Sequence, residues 1–154
     1  MQNKIQYFKN FFKTTYFPLH YFKKNHCFLT MPETTSVWNL IEIPTQFLLN
    51  TQKELTYITS QNFLYYGIVR NFDTNEYIIL GPITNIRLDQ HAITNIMSEN
   101  CIPLKYNKEV TSFFQMTPVF SHEQFIHALA LLLKELNGKS VDPDLFFKDQ
   151  NIQK

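Results

Sequence analysis

The stretch from Ser121 to Gly138 constrains this chain more than any other. Ser121 is an N-cap residue, Gln124 stands where a capping box needs it, and Gly138 is a left-handed stop at the far end. From Phe125 to Leu133 only His127 is polar. A surface helix of a small domain buries one stripe, so a helix apolar nearly all the way round needs cover on two sides. Phe125, Leu129, Leu132 and Leu136 follow 4-3-4 spacing, the seam of a coiled coil. The expectation is that the domain's own sheet covers one side and a second subunit packs on these four residues, making a homodimer. The other reading is a helix sandwiched wholly within one domain.

The remaining elements follow from periodicity and punctuation. Residues 4–16 read as a helix, with Ile5, Phe8, Phe12 and Tyr16 at helical spacing, Phe11 beside them and Pro18 as the stop. Residues 19–22 and 27–30 are short β-type runs about the polar Lys23-Lys24-Asn25-His26, which predicts a hairpin. Pro32 and Thr34-Thr35-Ser36 mark a loop, and a helical piece over 37–49 is interrupted by Pro44. Residues 55–59, 63–70 and 76–80 are the clearest strands, the last two joined by the turn-rich 71–75 and ended by Gly81-Pro82. Gly67 inside a strand signals a bulge or a close approach. Asp89 then caps a helix carrying Ile93, Ile96 and Met97 and running toward Pro103, and a further helix covers 107–115 before Pro118. Residues 139–154 are polar around Asp142-Pro143-Asp144 and read as a linker or tail. Strands first and helices after argue for an α+β fold with an antiparallel sheet. The closest type is a PAS/GAF-like sensor core with flanking helices and a long C-terminal helix.

Composition narrows the function classes. The chain has 154 residues, 44% hydrophobic and 18% charged, enough for one continuous core and too apolar for disorder. Its three glycines, Gly67, Gly81 and Gly138, can spell neither GxGxxG nor GxxxxGK[ST], which removes Gly-rich phosphate cradles. A net charge of +1 offers no concentrated basic face for nucleic acid. Charge is uneven, with Lys4, Lys9, Lys13, Lys23 and Lys24 in an acid-free first thirty residues. Two solvated faces explain this, and the sharper reading is a basic arm touching DNA or an acidic partner. Two cysteines without ligand spacing, no signal-peptide core and no apolar run of roughly 18–20 residues indicate a cytoplasmic protein with no membrane partner.

No residue set points to catalysis or to a metal. His122 and His127 lie about 140° apart around a helix, and His26 and Cys27 alternate across a strand. Cys101, just before Ile102-Pro103 at a helix end, reads as a buried structural thiol, and the carboxylates stand singly. No catalytic residue, metal ligand or cofactor is assigned, and an enzyme is the poorest hypothesis. The aromatic strand supplies the candidate ligand-binding residues Tyr57, Tyr65, Tyr66 and Tyr77, with Arg70 placed to meet a carboxylate or phosphate on a small-molecule effector. Core packing alone explains most of these rings, and Arg87, also near a strand end, could meet an anion as Arg70 could, each arginine being more often a surface charge.

An ordered series of short motifs carries a resemblance. Tyr66-Gly67-Ile68-Val69-Arg70, then Tyr77-Ile78-Ile79-Leu80-Gly81-Pro82-Ile83, then Thr117-Pro118-Val119-Phe120-Ser121, Phe125 and Leu136-Asn137-Gly138 follow one another within a region of roughly residues 55–138. In this order they resemble the N-terminal sensor region of AraC-type transcriptional regulators from Gram-positive bacteria. The resemblance implies a sensor or regulatory domain over 1–138 that dimerises and controls a helix-turn-helix DNA-binding domain. The chain departs from that pattern after Gly138, where no helix-turn-helix pair follows, so DNA would be reached only through a domain missing here. The alternative is a stand-alone small-molecule binder or adaptor working through its apolar last helix.

Overall fold

The structure, a computed structural model, describes residues 2–31, 53–59 and 64–143. The expected loop at 32–36 and helical piece at 37–49, together with Phe63 and the tail beyond Pro143, lie outside the described residues. The first helix, α1 (Gln2–Thr15), is followed by β1 (Leu19–Lys23) and β2 (His26–Met31). Their connection is a two-residue turn with Lys24 and Asn25 both at positive φ, the geometry whose twist suits a hairpin. β3 (Leu55–Thr59), β4 (Tyr65–Asn71) and β5 (Glu76–Ile83) form a meander. The side chain of Asn71 caps the turn between the last two by accepting from the backbone N–H groups of Asp73 and Thr74. β5 also pairs with β1, giving one antiparallel sheet in the order β2-β1-β5-β4-β3. The α+β class and the antiparallel sheet therefore match the expectation.

Helices lie on both faces of this sheet. α2 (Gln90–Glu99) starts at Asp89, whose carboxylate accepts from Ala92 N–H, and α3 (Asn107–Met116) follows a 3₁₀ turn. α4 (His122–Asn137) has both capping-box bonds between Ser121 and Gln124, and Gly138 leaves it at φ 73°. Alternate residues of the central strands point to opposite cores. On one side Val69, Ile78 and Leu80 meet Phe8 and Phe11 of α1 and Phe125, Leu129 and Leu132 of α4. On the other, Tyr66, Ile68, Tyr77 and Ile79 meet Ile93, Ile96 and Met97 of α2 and Val110 and Phe114 of α3. All eight residues of β5 are buried as a consequence.

Two of the three glycines sit where backbone geometry demands them. Gly81 has φ 120° and lies in a bulge of β5, where a Cβ would come within 2.5 Å of the Tyr65 carbonyl oxygen. Gly67 has ordinary strand geometry. Its need is space, since a Cβ there would stand 2.6 Å from Cδ2 of Leu129. The close approach is thus to α4. Two local expectations change. Tyr16 does not extend the apolar stripe of α1, because it takes φ 64° after the helix ends and is exposed. Cys101 is not buried: it occupies the left-handed position after α2 at φ 55°, and its thiol is exposed, as is that of Cys27. Among the described residues no helix is long and apolar enough to cross a membrane.

Candidate functional site

The five residues expected to line a ligand site divide between the two sides of the sheet. Tyr57 and Tyr65 lie on the α4 side, each edge-on to the Phe125 ring at 6.1 and 6.0 Å between centroids. Tyr66 and Tyr77 lie on the α2–α3 side, where Tyr77 stacks on Phe22 at 4.7 Å. Arg70 places its guanidinium 4.5 Å from the Phe72 ring, at the turn end of β4. A pleated strand sends neighbours to opposite faces, so Tyr65 and Tyr66 cannot share a cavity. Among the described residues the four rings therefore pack into two separate cores and do not line one common cavity. Burial pushes the Tyr66 phenol up, and its hydroxyl has no hydrogen-bond partner among the described residues.

The expected dimer seam is likewise turned inward. Phe125, Leu129, Leu132 and Leu136 are all buried in the chain's own core. The second cover that α4 needs comes from the same domain: α1 packs into the same cluster, close enough for Glu135 to act on the Tyr7 phenol after burial has already raised it. Of the run from 125 to 133, Leu131 is the apolar residue left outside, 52% exposed. It borders an open groove of about 280 Å³ with His127, Ala130 and Lys134 on one wall and Ser140, Val141 and Pro143 on the other.

Three polar networks tie the layers together. Glu76, at the start of β5, is 3% exposed and receives Lys4 Nζ from α1 at 2.9 and 3.1 Å and the Tyr21 hydroxyl. Burial would raise this carboxyl, but hydrogen bonds from Thr74, Tyr21 and Lys4 outweigh it and hold the group down to about 2. Burial first, and then the bond to Glu76, pushes the Tyr21 phenol well up. Arg87 is not an anion site. One of its nitrogens donates to the carbonyls of Phe114, Gln115 and Thr117 at 2.8–2.9 Å, so it caps the C-terminal end of α3.

The third network centres on Glu54, just before β3. Its carboxylate accepts from Asn137 Nδ2 at 2.9 Å and from Lys139 Nζ. Asn137 also donates to the Arg70 carbonyl at 2.7 Å, and Asn71 Nδ2 donates to the Leu136 carbonyl at 3.2 Å. The bond from Lys139 holds the Glu54 carboxyl below its ordinary range, against the opposing effect of burial. From sequence Glu54 and Glu76 read as single carboxylates and Asn137 only as part of a motif, because partners 72 to 85 residues apart leave no local signal.

One arrangement has the outline of a nucleophile. Cys27 Sγ lies 3.2 Å from Thr30 Oγ1, which lies 3.4 Å from His20 Nδ1. Burial drives the His20 imidazole down to about 4, which makes it a poor base for such a relay. Among the described residues no three His, Cys, Asp or Glu side chains come together to hold a metal ion. No family model, no curated protein and no solved structure matches the chain.

Proposed function

We propose that the chain is the regulatory module of an AraC-type transcription regulator, with a PAS/GAF-like core, whose output is the position of α4. The observation that carries this reading is where the motif residues of the resemblance fall. Gly67 lies beneath Leu129, and Gly81 shapes the end of β5. Thr84 N–H donates to the Pro118 carbonyl and Phe120 N–H to the Thr84 carbonyl, which docks the approach to α4 on the sheet. Ser121 starts the helix, Phe125 fills the core above β3 and β4, and Asn137 and Gly138 close it. These motif residues seat α4 on the sheet, while Tyr66, Ile68, Tyr77 and Ile79 of the same motifs pack the opposite face against α2 and α3.

A module that transmits a signal through a helix needs that seat well defined, because a signal can only move an equilibrium between discrete packings. The order β2-β1-β5-β4-β3, with α1 and α4 together on one face, supports the sensor-core reading. In this reading the homodimer forms through the outer face of α4 at His127, Leu131 and Lys134, since the inner residues belong to the core. The signal arrives through the sheet, and the protein works in the cytoplasm on DNA through its attached domain.

The test is the source gene read past the codon for Lys154. Two helix-turn-helix patterns within about 100 further residues are the expected result. A stop codon there, or an unrelated domain, overturns the reading.

A further inference from the structure

The Glu54 network does more than hold a helix end. Asn137 is the last residue of α4, and Gly138 turns the chain through a left-handed conformation with its N–H on the Lys134 carbonyl at 2.8 Å. A left-handed glycine sets a sharp change of direction but does not by itself choose one heading, because glycine tolerates much of φ/ψ space. What surrounds it does. On the near side, Asn137 is bonded to Glu54 and to the Arg70 carbonyl, and Asn71 holds the Leu136 carbonyl. Just past the turn, Lys139 meets the other oxygen of the same Glu54 carboxylate. Val141 then packs back on the core that α1 and α4 share.

Glu54 is itself fixed to the sheet, its carbonyl accepting from the Arg70 N–H at 2.7 Å. One carboxylate at the β3–β4 edge therefore grips the residues on both sides of the helix stop. We propose that Glu54, Asn137 and Lys139 form an exit clamp that fixes the heading of the chain as it leaves α4, coupling the β3–β4 end of the sheet to whatever follows. The regulatory part of this inference rests on the proposed function, where the position of α4 is the output. The clamp itself does not.

The experiment is hydrogen exchange by mass spectrometry on the 154-residue chain, comparing wild type with Asn137→Ala, Glu54→Gln and Lys139→Met. Each lost contact is a hydrogen bond to or from a charged or buried group, so opening of the turn becomes about tenfold more frequent. The expected result is about tenfold faster exchange confined to peptides covering 136–142, with β4 and β5 unchanged. Trypsin should cut after Lys139 correspondingly faster in Glu54→Gln. Should Asn137→Ala fail to fold, the other two substitutions decide, since both act at partly exposed groups. Unchanged exchange over 136–142 in those two variants overturns the clamp, and so does acceleration spread evenly over the sheet. These readouts involve no DNA. A failed clamp leaves the regulator reading standing, and a stop codon after Lys154 leaves the clamp standing.

Discussion

Gly67 shows how much one residue can decide. Its backbone is ordinary strand, so any residue could adopt its conformation; the space above it is what forbids a side chain. Leu129 of α4 sits fully buried over it, with Cδ2, Cδ1 and Cγ at 2.6, 2.8 and 3.2 Å from where a Cβ would be. A leucine locked in a close-packed core has little room to withdraw. Gly67→Ala should therefore cost about 1–3 kcal/mol by denaturant titration. Leu129→Ala alone should cost about 2–5 kcal/mol through its cavity. Combined, the two should cost less than their sum by about 1 kcal/mol or more, because the new methyl fills space the leucine vacates. Simple additivity would mean that α4 does not bear on Gly67.

At the level of the element, α4 reads from sequence as a helix that one sheet could not satisfy, and the structure satisfies it without a partner. Its inner stripe faces β4 and β5, its flank meets α1, and Leu131 is left on the outside. Neighbouring leucines thus have opposite roles. Leu132→Asp would bury an unpaired carboxylate and should abolish folding, with a loss above about 4 kcal/mol and collapse of near-ultraviolet circular dichroism. Leu131→Asp should change stability by no more than about 0.5 kcal/mol and leave the spectrum intact. If the helix outer face carries the homodimer, the second substitution also lowers the sedimentation coefficient at high protein concentration. Equal damage from both would show that Leu131 is core after all.

For the whole molecule, the question is what keeps three layers together. Two apolar cores do most of it, and the Glu76 network adds a polar fastening between α1 and the sheet. The Glu76 carboxyl titrates at about 2 in the folded chain against 4.5 when unperturbed. A carboxyl held below its unfolded value contributes stability that is complete above about pH 4.5 and disappears as the pH falls toward 2. That contribution is roughly 3 kcal/mol on this shift. Wild-type stability should therefore decline through this window, and Glu76→Gln should flatten the decline while lowering stability at neutral pH. An identical acid profile in the two proteins would assign the decline to other groups.

Residues that signal locally are legible in the sequence itself. The capping box at Ser121 and Gln124, the Asp89 cap, the Gly138 stop, the 23–26 hairpin and the α+β class all rest on neighbours within a few positions. What faces what is not legible there. Periodicity shows that α4 is apolar on most sides without saying that the sheet and α1 together cover it. The aromatic run of β4 shows bulk without showing that the pleat sends Tyr65 and Tyr66 into separate cores. Arg87 reads as a surface charge or an anion contact and proves to cap a helix 27 to 30 residues away. The physical reason is range: hydrogen-bonding preferences and turn geometry act along a few bonds of chain and are written in the local sequence. Burial, close approach and the pairing of Glu54 with Asn137 or Glu76 with Lys4 exist only once distant segments have been brought together.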